Sequence, residues 1–421
     1  MESKKVTKNG VQIYSYPNSQ LHSFCASLYM RYGCLYESKE ENGIAHFLEH
    51  IVFRNINSIC GGELYHILDK NGLTFNASTY KEFIHFFITG SPAHFEEAAE
   101  ILSKLLAPLE ISKGELELER SRIKAEIRED DYRTSLDCFT NAVVWKGTPL
   151  TRSICRSCMS VDKIGKNKLE VYRKKLFSCE NMFFYLTGAI TDEQTHSLAQ
   201  KVERYSPETG AANENIAQIP AGFGHRGGEV YLKNCTYSMV RFSFDIETSK
   251  YSDAAMELFF DVMFSGDSCV IFQNLSEKSG LVYGYDARFS KYNNIGNIYF
   301  SYEVKSSKLE ETVRLVTESL RSLKNGITNE LDYAVAPYVD NAMILFDNPE
   351  EFNWNRAYEN HILDCGYKDI RARMDAYSSV TDDDIARIAR DVLCADNMVL
   401  TLKGNKKKVD CNRLKEIISE I

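Results

Sequence analysis

Two short stretches recur in the same order in the two halves of this chain of 421 residues. Residues 69–75 read DKNGLTF and residues 277–283 read EKSGLVY, whereas residues 181–188 read NMFFYLTG and residues 397–404 read NMVLTLKG. Two matches at nearly the same offset indicate an internal duplication. We therefore predict two homologous domains, at 1–205 and 229–421, joined by a linker at 206–228 that is rich in Gly, Pro, Ala and Asn.

Residues 43–53, GIAHFLEHIVF, have the spacing of an amphipathic helix that begins after Asn42 and Gly43. Its apolar residues predict one buried face: Ile44, Phe47, Leu48, Ile51 and Val52. His46, Glu49 and His50 fall on the opposite face. Two imidazoles one turn apart can bind one metal ion, and the carboxylate beside them can act as a base on water. The alternative is a helix with two surface histidines and a solvated glutamate.

This pattern, H-x-x-E-H, is the inverse of the common zinc signature H-E-x-x-H. Without gaps, the offset of the first repeat aligns His46, Glu49 and His50 with Ala254, Glu257 and Leu258. The second half of the chain is therefore predicted to have no metal site. This asymmetry is expected if one copy carries out the chemistry and the other shapes a chamber around it.

A second helix, predicted from Ser112 to about residue 131, carries carboxylates within its apolar stripe, which runs Leu116, Glu119, Ile123, Glu126, Ile127 and Asp130. Burying an ionised carboxylate is costly unless it is paired or binds a metal. Glu119 and Glu126 are two turns apart and point the same way, so a buried glutamate could supply a third zinc ligand. From helix phase alone, the alternative that Glu126 is a solvated residue of a Glu-rich helix has equal weight.

Charge and hydropathy exclude several classes of protein. The formal charge of −9 and the lack of a long basic run argue against a nucleic-acid partner. No apolar leader region and no stretch of eighteen apolar residues occur, which argues against a membrane partner. We expect a cytoplasmic protein.

Together these motifs resemble the pitrilysin-like, or insulinase-like, zinc peptidases of the inverzincin type, over essentially the whole chain. The closest resemblance is to short two-domain bacterial members related to mitochondrial processing peptidase. It implies an α+β fold of two homologous domains, each an antiparallel sheet covered by helices, which form half of a clam-shell. It also implies one zinc ion bound by His46, His50 and Glu126, with Glu49 as catalytic base and Glu119 as a second essential glutamate.

The resemblance also implies how a peptide substrate is bound. Phe75, Asn76 and Ala77 match an edge-strand segment that pairs with the substrate backbone, and Tyr283 matches a residue that binds near the scissile bond. Family members of this size often carry an Arg seven residues before that Tyr, but the position here is Ser276. This departure favours a homologous partner subunit that supplies an Arg–Tyr pair in a heterodimer. Alternatively, the protein binds substrate differently.

The function that follows is a zinc-dependent endopeptidase that hydrolyses peptides enclosed in a chamber, as the catalytic subunit of a heterodimer. One role for such a dedicated pair is removal of the leader from a ribosomally made peptide. Two alternatives stay open: a homodimer that degrades oligopeptides in general, and a non-catalytic structural or binding subunit on the same fold.

Overall fold

The computed structural model describes residues 1–129, 135–154, 158–207, 228–292, 294–324, 331–364 and 366–421. Its strands are β1 (Ser3–Val6), β2 (Gln12–Pro17), β3 (Phe24–Met30), β4 (Thr74–Thr79), β5 (Ile84–Gly90), β6 (Met182–Gly188), β7 (Glu229–Asn234), β8 (Ser238–Ile246), β9 (Tyr285–Lys291), β10 (Gly296–Val304) and β11 (Met398–Gly404). Its α-helices are α1 (Ile44–Ile59), α2 (Leu64–Asn71), α3 (Phe95–Ser103), α4 (Lys113–Glu129), α5 (Leu136–Val144), α6 (Cys158–Asp162), α7 (Lys166–Leu176), α8 (Asp192–Val202), α9 (Asp253–Phe264), α10 (Val270–Phe272), α11 (Leu309–Lys324), α12 (Leu331–Asp340), α13 (Ala342–Asp347), α14 (Pro349–Ala357), α15 (Ile370–Ser378), α16 (Asp382–Val392) and α17 (Cys411–Ile418).

The chain folds into two compact units, and neither is continuous in sequence. The first unit consists of Met1–Tyr132, Arg152–Ala217 and Met343–Asp369. The second consists of Arg133–Thr151, Gln218–Ala342 and Ile370–Ile421. The domain boundaries at 205 and 229 stay a prediction, and residues 208–227 of the predicted linker lie outside the described residues.

The described residues form one sheet in each unit, and the predicted α+β class is confirmed. The first sheet has the strand order β1-β2-β6-β3-β5-β4, and the second has the order β7-β11-β8-β10-β9. Most neighbouring strands are antiparallel, as expected, but β2 and β6 are parallel, and so are β7 and β11. A parallel pair needs a long crossover connection, which the intervening helices provide.

The first sheet is covered on both faces. Phe183 and Phe184 are adjacent on β6, their side chains point to opposite faces, and both are fully buried. Phe184 belongs to the main core with α1, α3 and α7, whereas Phe183 belongs to a cluster completed by Ala357 of α14. The hydroxyl of Tyr29 on β3 donates to Asn353 Oδ1 of α14 at 2.8 Å. A segment from late in the chain therefore covers the face of the first sheet that is opposite to the metal-site helix.

Within the described ranges, every helix is too short or too polar to cross a lipid bilayer. The cytoplasmic localisation stays a prediction.

Candidate metal centre

A buried carboxylate fixes the start of α1, the helix that carries the H-x-x-E-H pattern. The Glu37 carboxylate accepts from the backbone N–H groups of Gly43 at 2.8 Å and Ala45 at 2.9 Å, and from Asn42 Nδ2 at 2.8 Å. Gly43 has φ = +100°, a conformation that favours glycine. Burial raises the pKa of Glu37, although these hydrogen bonds favour its charged form. The predicted helix starters are therefore present, but Glu37, which the sequence interpretation missed, supplies the capping group.

The amphipathic pattern of α1 is confirmed. Phe47 and Leu48 are buried in the core, whereas His46, Glu49 and His50 are half-buried on the opposite face. The imidazole rings of His46 and His50 lie with their centroids 4.8 Å apart. One turn of helix therefore brings the two rings side by side, as the spacing predicts.

The start of α4 also agrees with the sequence. Ser112 Oγ accepts from the backbone N–H of Glu115 at 3.2 Å, and Ser112 N–H donates to the Glu115 carboxylate at 2.8 Å, a reciprocal cap. Within the predicted apolar stripe, Leu116, Glu119 and Ile123 are buried. Glu126, for which helix phase left burial open, has a side chain that is 47% exposed. Asp130 lies outside the described residues.

Glu126 nevertheless reaches both histidines. Its Oε2 lies 3.7 Å from His46 Nε2 and 3.5 Å from His50 Nε2. Donor atoms about 2.0–2.1 Å from a tetrahedral zinc lie about 3.4 Å apart, so the separations fit one ion. Among the described residues, this is the only group of three such side chains that could hold a metal. The stripe predicted the side of α4 on which Glu126 lies. Its half-exposed carboxylate leaves room for a fourth ligand on the metal.

The pKa values of the two histidines shift in opposite directions. Burial, with a smaller contribution from His50, lowers the pKa of His46 to about 3, so this imidazole is neutral and able to bind a metal. Burial also disfavours the charged form of His50, but the carboxylates around it outweigh burial and raise its pKa. The site attracts positive charge, which is the property expected of a cation site.

Glu119 contacts His50 on the other side of the ring. Its Oε2 lies 3.4 Å from His50 Nδ1, and its Oε1 accepts from Arg54 Nε at 2.9 Å and from Arg122 Nη1 at 3.1 Å. Burial would raise the pKa of Glu119, but its bonds to His50 and Arg54 lower it. The sequence interpretation missed both arginines. Arg54 could have been found from helix spacing, because it follows His50 by one turn.

Glu49 lies beside the three candidate ligands without belonging to them. It is half-buried, and the Thr79 hydroxyl at the end of β4 donates to its Oε2. Burial raises the pKa of Glu49, which moves the carboxylate toward the range of a general base near neutral pH. Nothing in the sequence pattern indicated Thr79 as a partner, because strand and helix meet only in the folded chain.

The predicted substrate strand is the edge of the first sheet. Strand β4, which contains Phe75, Asn76 and Ala77, pairs with β5 on one side and ends the sheet. Phe75 packs on Phe53 of α1 with ring centroids 4.4 Å apart. Ala77 N–H donates to Asn76 Oδ1 at 2.8 Å. An edge strand presents unpaired backbone groups, so this edge can accept a further strand.

The second unit contains Tyr283, whose side chain is 100% exposed. The residues aligned with the metal motif, Ala254, Glu257 and Leu258, lie on α9. Glu257 forms an ion pair with Lys291, at 2.9 Å from Oε1 to Nζ. The candidate metal cluster found among the described residues lies wholly in the first unit, and the absence of a metal site from the second half stays a prediction.

Comparisons with known proteins agree with this arrangement. Residues 14–157 match the family model described as "Insulinase (Peptidase family M16)", and residues 163–336 match "Peptidase M16 inactive domain". The chain is 21% identical to the "Uncharacterized zinc protease YmxG" of Bacillus subtilis over 94% of this chain and 97% of that protein. It is 24% identical to the "Probable mitochondrial-processing peptidase subunit beta" of Arabidopsis thaliana over 58% of this chain and 46% of that protein.

The chain spans less than half the length of the mitochondrial relatives that it matches. A solved structure of a protease from Helicobacter pylori has the same fold, with a TM-score of 0.84 at 16% identity over 96% of this chain and 99% of that chain. The two family models together match about three quarters of the sequence, and the first contains the histidine pair and Glu126. The chain therefore belongs to peptidase family M16, the insulinase family.

Proposed function

We propose that the protein is a zinc-dependent endopeptidase that binds one zinc ion through His46, His50 and Glu126. The convergence of these three donors from two helices, with Glu49 beside them, is the observation that carries the proposal. Zinc, when bound, supplies a Lewis acid that makes water nucleophilic near neutral pH. The zinc-protease name of the Bacillus subtilis relative supports the same chemistry.

Glu49 is the general base of this mechanism. Its carboxylate takes a proton from the attacking water and returns it to the nitrogen of the leaving amine. The Thr79 hydroxyl holds Oε2, which leaves Oε1 to carry the proton. Glu119 acts through His50: it fixes the orientation of the ring from the Nδ1 side, so that Nε2 faces Glu126 and the metal position.

The substrate adds to the sheet as an extra strand along β4, through Phe75, Asn76 and Ala77. Backbone hydrogen bonds then supply affinity with little dependence on sequence. The bond from Ala77 N–H to Asn76 Oδ1 has to open, or to be replaced, when a substrate backbone pairs there. Tyr283 donates a hydrogen bond to the substrate in the same proposal.

A second chain completes the enzyme in this proposal. Ser276 stands where an arginine would accompany Tyr283, so a homologous subunit supplies an Arg–Tyr pair. The Arabidopsis thaliana relative is named as the beta subunit of a peptidase, which supports an assembly of related chains. Removal of a leader from a ribosomally made peptide is the role that we propose for such a dedicated pair. A homodimer that degrades oligopeptides is the alternative assembly.

A non-catalytic subunit is the second candidate function. The description "inactive domain" belongs to the model that matches residues 163–336, and the histidine pair and Glu126 lie before that range. The complete donor set therefore favours the catalytic role.

The decisive experiment measures zinc content and peptide hydrolysis of the same preparations, with and without a candidate partner chain. Glu49→Gln should retain about one zinc per chain and lose turnover by at least about a hundredfold, the usual contribution of a general base. His50→Ala and Glu126→Gln should lose both zinc and turnover. Hydrolysis by Glu49→Gln at the wild-type rate would refute the base assignment. A wild-type chain that binds no zinc under any condition would refute the metal site and favour the non-catalytic role.

A further inference from the structure

A pocket of about 200 Å³ opens directly beside the candidate metal centre, between α1, α2 and α4. Glu49 and His50 line its catalytic end, and Phe53, one turn further along α1, contributes an apolar wall. Asn57 and Tyr65 also line it. A side chain of a peptide whose scissile bond lies at Glu49 would be within reach of this pocket.

The polar groups that line the pocket away from the catalytic end are mostly hydrogen-bond donors. Asn57 Oδ1 accepts from the backbone N–H of Leu64 at 3.2 Å, so its Nδ2 remains as a donor. Tyr65 is 61% exposed and carries a hydroxyl that can donate. Arg122 has a side chain that is 57% exposed, and Glu119 is its only acceptor among the described residues. A guanidinium has five N–H groups, so most of those on Arg122 remain for a ligand.

The arginines in the pocket lining also favour a ligand that is a negatively charged acceptor. Arg54 and Arg122 both contact the single carboxylate of Glu119, so two positive charges share one negative charge. Glu119 is already occupied by these arginines and by His50. Glu49 adds a second negative charge to the lining, at the catalytic end. Arg122 is the more exposed of the two arginines, with 57% of its side chain accessible against 20% for Arg54, so its guanidinium is the positive group that a ligand can reach.

We propose that this pocket is a specificity subsite that binds a carboxylate of the substrate next to the scissile bond, with Arg122 as the residue that recognises it. The carboxylate comes from an Asp or Glu side chain or from the C-terminus of the peptide. Phe53 contacts the methylene groups of an acidic side chain, while Arg122, Asn57 and Tyr65 donate to its oxygens. The inference rests on the proposed peptidase function, because it takes Glu49 as the point of cleavage.

The test measures peptide binding apart from turnover. The zinc-loaded Glu49→Gln protein, with its partner if one is required, is titrated with fluorescein-labelled, C-amidated nonapeptides of alanine and leucine. Asp, Asn or Lys is moved through each position, and fluorescence anisotropy gives the dissociation constants. At one position Asp should bind about tenfold more tightly than Lys, the effect of one charge-assisted hydrogen bond in a partly solvated pocket. Equal binding of Asp and Lys at every position would exclude a side-chain carboxylate, and equal binding of amidated and free-acid peptides as well would overturn the proposal.

Variants of Arg122 assign the preference to this pocket. Arg122→Gln should reduce the ratio between Asp and Lys peptides to within about twofold, and Arg122→Glu should invert it. Arg128→Glu makes the same charge change at an exposed position of α4 outside the pocket and should leave the ratio unaltered. A ratio that survives both Arg122 variants would overturn the proposal. Zinc content and circular dichroism of each variant exclude the loss of the site or the fold as the cause.

Peptides with a free C-terminus separate the two sources of the carboxylate. If only these peptides gain affinity, and the gain disappears in Arg122→Gln, the pocket binds a terminal carboxylate; if internal Asp gains affinity, it binds a side chain. If the wild-type protein binds peptides with this preference but does not hydrolyse them, the proposed peptidase function is refuted and the proposed subsite is supported. Hydrolysis without the preference would refute only the subsite.

Discussion

Glu119 Oε2 lies 3.4 Å from Nδ1 of His50, while Nε2 of the same ring lies 3.5 Å from Glu126. The imidazole is thus held between two carboxylates from one helix, one at each nitrogen. A carboxylate at Nδ1 orients a metal-binding histidine and increases the basicity of the nitrogen that binds. Glu119 therefore has a defined part in the proposed site without being one of the three candidate ligands.

Replacing Glu119 by Gln should weaken zinc binding about 10–100-fold, because the side chain keeps its shape but loses the charge that orients His50. Competition with a zinc-binding dye measures the dissociation constant. Glu117→Gln removes the same charge from an exposed position of α4 and serves as the control. Unchanged zinc affinity in Glu119→Gln would show that its contact with His50 has no effect on the metal.

Thr79→Val should lower kcat about three- to tenfold while zinc content stays constant. Valine has nearly the same shape as threonine but cannot donate to Glu49, so the carboxylate loses one charge-assisted hydrogen bond and its fixed orientation. Steady-state peptide hydrolysis provides the measurement, and Thr74→Val at the exposed start of the same strand is the matched control. Equal losses in both variants would point to damage to the strand instead.

Glu37→Gln should lower the free energy of unfolding of the first unit by about 1–3 kcal/mol, because the amide turns one buried acceptor into a donor that faces other donors. Denaturant titration of the zinc-free protein gives the change, and exposed Glu40→Gln is the control. We also expect faster hydrogen exchange at Gly43 and Ala45. No difference between the two variants would mean that α1 starts equally well without the carboxylate.

Glu257 gives a prediction about pH. Burial would raise its pKa, but Lys291 and Arg373 outweigh burial and lower it. A carboxyl with a lowered folded-state pKa stabilises the fold above its ordinary pKa of about 4.3, and this contribution is lost as the pH falls through the lowered value. The free energy of unfolding of the wild-type protein should therefore exceed that of Glu257→Gln by about 3 kcal/mol near pH 7.

The difference in free energy of unfolding between wild type and Glu257→Gln should shrink at acidic pH. Denaturant titrations at several pH values from 7 to 3 measure it. Exposed Glu303→Gln should show no such difference from wild type. A gap between wild type and Glu257→Gln that stayed constant or widened with acid would contradict the direction of the pKa shift.

Local patterns predicted the elements that carry the site. The burial of Phe47 and Leu48 opposite His46 and His50 follows from 3.6 residues per turn and needs no knowledge of the rest of the fold. The reciprocal cap of Ser112 and Glu115 is equally local. The carboxylates of α4 were the difficult case: helix phase gave the side of the helix on which Glu126 lies but left its burial open, because phase does not show where the covering layer ends.

The sequence by itself determined two helices, each with polar groups on a defined side, and a second half without a metal motif, because both depend on the spacing of neighbouring residues. Only the tertiary structure decided which distant groups meet them: Glu37 at the start of α1, Thr79 at Glu49, and Asn353 of α14 against β3. Such contacts join residues far apart in the chain, and their geometry is fixed only when the sheets and helices pack.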